Sequence, residues 1–170
     1  MHTPPHHKPL LVFCLFLILF STKAFSQRAD TILKTVGWVN DLENIYTDKQ
    51  EQKLTRMISD FEKQTTVEIA VLTLDTSVVS KENFDAHILT VANRWGVGKA
   101  GKDNGVVIGI SAGHRYISIQ NGYGVEKQLT DAEIKQIIDN AFIPKFKRGN
   151  YYKGTKAGLK ALMHELKETT

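Results

Sequence analysis

Apolar residues recur at helical spacing in four stretches of this chain and concentrate into strand-like runs in three. Leu54, Met57, Ile58 and Phe61 form the first helical stripe. Thr47 opens that helix, with Gln50 three residues on completing a capping box. Val67–Leu74 is rich in β-branched residues and reads as a strand. Ser80 is the expected cap of a second helix, with Phe84, Ile88, Val91, Ala92 and Trp95 on one face. Val106–Ile110 is almost wholly apolar, as a central strand would be. Ser111–His114 is the expected hairpin turn, Arg115–Gln120 alternates as its antiparallel partner, and Asn121–Gly124 turns again. Thr130 and Glu133 form a second capping box before Ile134, Ile137, Ile138 and Ala141, a helix expected to end at Pro144. Asn150 is the expected cap of a last helix carrying Leu159, Leu162, Met163 and Leu166.

Val36–Val39 is short and apolar, an edge strand or a packed arm, and Asn40–Asn44 is an oxygen-rich turn. The strong elements therefore run α-β-α-β-β-α-α. The first two strong strands are joined through a helix, so they should be parallel with a right-handed crossover. The expected fold is α/β: a three-layer α/β/α sandwich over residues 36–168, with a mixed central sheet, a β-hairpin and helices on both faces.

The first 26 residues stand apart. Leu10–Phe20 is an unbroken apolar run, and Ala24-Phe25-Ser26 follows the small-x-small cleavage pattern of a secretory signal peptide. The run falls short of the roughly 20 residues a membrane span needs. The lone cysteine, Cys14, lies mid-run after Phe13, which excludes a lipoprotein anchor. Cutting after Ser26 leaves 144 of 170 residues, with Gln27–Thr35 as a flexible lead-in. That length suits one domain with a real core. The expected location is periplasmic or secreted. Cys14 leaves with the signal, so no internal disulfide is expected. Two lysines also leave, and the net charge falls from +4 to +2, too small to argue for nucleic acid. No second long apolar run follows, so no membrane span is expected after cleavage.

Several chemistries find little support. Gly96-x-Gly98-x-x-Gly101 matches the dinucleotide fingerprint as a bare pattern, but a helix precedes it and a strand follows, the reverse of what pyrophosphate binding needs. There is no G-x-S-x-G elbow, and His87, His114 and His164 lack H-E-x-x-H spacing. The aromatic cluster Phe142, Phe146, Tyr151 and Tyr152, with Lys145, Lys147 and Arg148, reads as a packed helix–helix junction rather than a stacking surface for bases.

Oxygen-bearing side chains beside Gly-rich turns are better placed for chemistry. Carboxylates and amides there suit a hard cation such as calcium or magnesium. Asp75 follows a strand, Asp103 and Asn104 precede the next, Asp41 lies in the early turn, and Glu126 and Asp131 flank the start of the third helix. With the strands parallel, Asp75 and Asp103 fall at opposite ends of the sheet, while Glu126 returns to Asp103's edge. That places a site at Asp103, Asn104, Glu126 and Asp131, with Asp41 and Asp75 as candidates for a second. The plainer alternative is a turn at Asp103-Asn104-Gly105 and a helix start at Asp131.

As a set, several motifs resemble the TPM domain. They are Val39-Asn40-Asp41, Trp95-Gly96-Val97-Gly98, Lys102-Asp103-Asn104-Gly105-Val106, Arg115, Gly122-Tyr123-Gly124-Val125-Glu126, Leu129-Thr130-Asp131-Ala132, and Ile143-Pro144 through Phe146, Gly149, Tyr151 and Gly154. Lys127 stands where the family pattern has a glycine. That family includes thylakoid lumen proteins described as acid phosphatases, proteins of photosystem II repair and bacterial exported proteins. The resemblance implies an α/β/α sandwich whose sheet-edge loops bind calcium or magnesium. Two functions follow as expectations. One is a non-catalytic exported module that uses the cation to order loops for an envelope protein partner. The other is metal-dependent phosphoester hydrolysis, with Arg115 or Lys102 as an anion clamp.

Overall fold

A computed structural model describes residues 37–168. The expected signal peptide, Cys14 and the whole of the lead-in lie outside them.

The sheet has four strands in the order β1-β2-β3-β4: Val39–Asp41, Glu68–Thr73, Gly105–Ser111 and Tyr116–Asn121. β1, β2 and β3 are parallel and β4 is antiparallel to β3. The registers Ile69↔Val106, Val71↔Ile108 and Ile108↔Ile119 stack β-branched side chains on one face. Helix α1 (Asp48–Thr65) and the last helix, α6 (Tyr151–Glu168), cover that face. Leu54, Ile58 and Phe61 come from α1, and Leu159, Leu162, Met163 and Leu166 from α6. Each such burial contributes about 1.5–3 kcal/mol of transfer free energy. Ala70, Leu72 and Val107 point to the other face, where helix α2 (Phe84–Trp95) crosses β3 and β4 with Phe84, Ile88 and Val91 buried. Sheet and helices thus form the α/β fold the pattern implied, with both capping boxes in place.

Four local details differ from expectation. Asn40 and Asp41 belong to β1 rather than a turn, because backbone pairing with Leu72 and Thr73 extends them. Ser80 caps a 3₁₀ turn, Lys81–Asn83, and α2 itself begins at Phe84. The turn after β4 closes into a one-turn helix, α3 (Tyr123–Glu126). Pro144 does not end the third long helix. Helix α4 (Asp131–Ile137) passes through a π turn, Ile138–Phe142, and resumes as α5 (Ile143–Phe146) with Pro144 in its first turn. Proline needs no N–H there, so the wider turn accommodates it. The π turn also inserts Phe142, fully buried, against α6. At Gly158 a Cβ would stand 1.9 Å from a Phe142 ring carbon, so the ring occupies the space of a side chain.

Candidate functional site

The sheet presents two ends, and the predicted site residues divide between them. At the amino end of β2 and β3, the loop 96–104 crosses directly over the start of β3. Glu68 anchors it: Gly98 N donates to Glu68 Oε2 at 2.8 Å, and Lys99 Nζ binds both Glu68 and, at 2.8 Å, Glu62. These two carboxylates raise the Lys99 pKa. Asn104 is buried. Its Oδ1 accepts from Lys99 N at 2.8 Å, and its Nδ2 donates to Thr66 O at 2.9 Å. Its amide therefore fixes the loop.

Asp103 follows from that locked loop with a left-handed backbone, φ 48°. The turn after β4 is laid against it, backbone on backbone. Gly122 N donates to Gly105 O at 2.9 Å and Gly124 N to Asp103 O at 3.0 Å. A Cβ on Gly124 would lie 2.0 Å from Lys102 O, so only glycine permits the approach. This contact brings Asp103 to the same edge as α3, which ends in Glu126. Asp131 opens α4 five residues on. The carboxylates of Asp103, Glu126 and Asp131 are exposed and make no hydrogen bond or ion pair with the described residues. On either side of α3, Asn121 Oδ1 and Gln128 Oε1 are shielded from solvent without a hydrogen-bond donor. Buried acceptors are ordinarily satisfied, so these two are unusual.

Asp41 and Asp75 lie at the opposite, carboxyl end. Asp41 Oδ1 accepts from Thr73 Oγ1 at 2.5 Å, and its Oδ2 accepts from Tyr46 N at 2.7 Å. Asp75 Oδ1 accepts from Ser77 N at 2.9 Å. Glu43, outside the residues predicted for the site, lies at the same end. Its carboxylate accepts from Ala112 N at 2.9 Å and Gly113 N at 3.3 Å, tying the β1–α1 loop to the hairpin turn. Burial pushes the Glu43 pKa up, the amide bonds pull it down, and nearby Asp75 raises it again. Glu43 sits two residues past Asp41, just beyond a strand end. That position was the available signal.

A cation at the amino end would meet oxygen donors throughout, the chemistry calcium and magnesium prefer. No three His, Cys, Asp or Glu side chains gather into a metal cage among the described residues. Carboxylates alone do not complete a set there, and amide oxygens such as those of Asn121 and Gln128 would have to contribute.

A model of the TPM domain matches residues 39–165. The chain belongs to the TPM domain family. Solved structures agree with this TPM domain in fold. The N-terminal domain of a protein from P. gingivalis superposes with a TM-score of 0.70 at 28% identity, covering 77% of this chain and 82% of that one. The BA42 protein from the psychrophilic bacterium Bizionia argentinensis gives 0.65 at 23% identity, over 75% and 86%. The N-terminal domain of the cg2496 protein from Corynebacterium glutamicum gives 0.58 at 14% identity, over 81% and 82%. No curated protein matches the sequence.

Proposed function

We propose that this TPM domain is exported and binds one divalent cation, calcium or magnesium, at the amino end of its sheet, where the cation orders loops for a protein partner in the cell envelope. The observation that carries the reading is that unpartnered carboxylates and orphaned amide oxygens occur in the same stretch of chain around α3. Asp103, Glu126 and Asp131 are uncommitted, and Asn121 Oδ1 and Gln128 Oε1 are buried without donors on either side of α3. Asn104 supports the site by holding the loop beneath Asp103. Asp41 and Asp75 are weaker candidates for a second cation, since each already accepts a hydrogen bond from the fold. Export rests on the Leu10–Phe20 run and the Ala24-Phe25-Ser26 site.

A non-catalytic role is favoured over phosphoester hydrolysis by the histidines. His114 Nε2 contacts Val79 O at 2.9 Å, and His87 Nε2 is buried without a partner, with burial lowering its pKa. Neither Nε2 is hydrogen-bonded to a hydroxyl as an activating base would be.

Thermal melts in calcium, magnesium and chelator test the cation. Linkage stabilises the fold by about 2.7 kcal/mol at a hundredfold excess over Kd. Asp103→Ala and Glu126→Ala should each abolish the shift while leaving the chelated melt in place. Identical melts in all three conditions would end the reading. A phosphatase assay from acidic to neutral pH, with activity lost in both variants, would replace the module with the enzyme.

A further inference from the structure

The β3–β4 turn and the junction of α5 with α6 enclose a cavity of about 330 Å³, well away from the amino-end loops. Its lining divides by chemistry. Arg115 and Lys147 supply two cationic side chains, and Tyr116, Ile143, Phe146 and Tyr151 supply aromatic and aliphatic surface. No acidic residue lines it. Neither Arg115 nor Lys147 has an ion-pair partner among the described residues.

The walls are held in place from outside the cavity. Arg115 takes a left-handed backbone, φ 50°, as its N–H closes the hairpin turn onto Ala112 O at 3.2 Å. An L residue in that conformation costs about 1–2 kcal/mol, which the turn must offset. Tyr151 packs on Phe146 with ring centroids 4.8 Å apart, and its hydroxyl donates to Ala112 O at 3.3 Å. Phe146 in turn meets Phe142 edge-on at 5.8 Å. Tyr151 is also the first residue of α6, an 18-residue helix whose amino terminus adds positive potential.

We propose that this cleft binds a small organic anion: a carboxylate carried on an aromatic or aliphatic body. The Arg115 guanidinium offers two parallel donors to a planar carboxylate, Lys147 adds a point charge, and the rings receive the apolar body. The volume lies at the small end of known ligand pockets, which suits such a molecule. The apolar share of the lining is what favours this class over a bare inorganic anion. The inference stands apart from the cation reading, because it uses none of the amino-end residues.

The test is an NMR titration of the ¹⁵N-labelled protein, in chelator, with 3-phenylpropionate, its neutral amide and inorganic phosphate. Saturable shifts are expected at Arg115, Tyr116, Lys147 and Gly149 with the carboxylate. The amide should bind about tenfold more weakly, the loss of one charge-assisted bidentate contact. Phosphate should not displace the carboxylate at equal concentration. Arg115→Gln and Lys147→Ala should each weaken 3-phenylpropionate binding by about tenfold. Equal binding of acid and amide, displacement by phosphate, or shifts confined to other parts of the fold would each overturn the proposal. The comparison of ligands on the unmodified protein decides it even if a variant fails to fold.

Discussion

Replacing Gly124 by alanine tests the contact that brings the two amino-end loops together. The new Cβ would lie 2.0 Å from Lys102 O and 3.1 Å from Asp103 O. Both are backbone atoms, so no rotamer change relieves the overlap. The two segments must separate, and the Gly124 N–H bond to Asp103 O, 3.0 Å long, goes with them. Overpacking of this kind costs about 1–3 kcal/mol, and the lost hydrogen bond about 1 kcal/mol. Restricting the unfolded chain returns about 0.4–1 kcal/mol. The net expectation is a loss of about 1–3 kcal/mol, read from urea unfolding followed by circular dichroism. The exposed neighbour Lys127, changed to alanine, should stay within about 0.5 kcal/mol. The same separation moves Asp103 away from Glu126, so Gly124→Ala should also shrink any calcium- or magnesium-dependent gain in stability. A Gly124→Ala protein as stable as the parent, with its Asp103 and Glu126 amide resonances unmoved, would refute the close-approach argument.

Two further predictions concern the carboxyl end and the core behind it. Tyr46 hydroxyl and Thr155 Oγ1 form a buried hydrogen bond of 2.7 Å. Thr155→Val strands the phenol and should cost about 1–3 kcal/mol, whereas the double change with Tyr46→Phe should recover much of it in a urea double-mutant cycle. Folding raises the Glu43 carboxyl above 4.5, so the folded state holds that proton more tightly than the unfolded chain does. Its stabilising contribution is full below that value and is lost as pH climbs through it to the raised pKa. The parent should therefore lose stability relative to Glu43→Gln as pH rises above 4.5, and urea midpoints moving the other way would contradict the assignment.

Most of the fold was legible because its signals are local. Thr47 with Gln50, and Thr130 with Glu133, satisfy helix-end donors within one turn and need no tertiary context. The apolar run of β3 matched what a central strand buried on both faces shows. What escaped was set by partners distant in sequence. Asp41 is strand because Thr73 pairs with it, and no three-residue pattern announces that. Pro144 read as a stop because a π turn leaves no mark in apolar spacing. That the loop of Asp103 and the turn before Glu126 meet at one edge followed from strand direction. Glu43 escaped because its role depends on the hairpin turn 69 residues further along, at Ala112. The cleft at Arg115 escaped for the same reason, since its lining comes from segments on either side of α3 and α4.

The hairpin of β3 and β4 also bears on the order in which the molecule assembles. Its strands are joined by the short turn between Ser111 and Tyr116, whereas β1 must find β2, and β2 must find β3, across an intervening helix. Loop-closure entropy grows with the length of chain enclosed, so the hairpin is the sheet pairing with the smallest entropic barrier. Asp103 lies two residues before it and Glu126 five residues after it. Closing the hairpin is therefore enough by itself to draw both carboxylates to one edge.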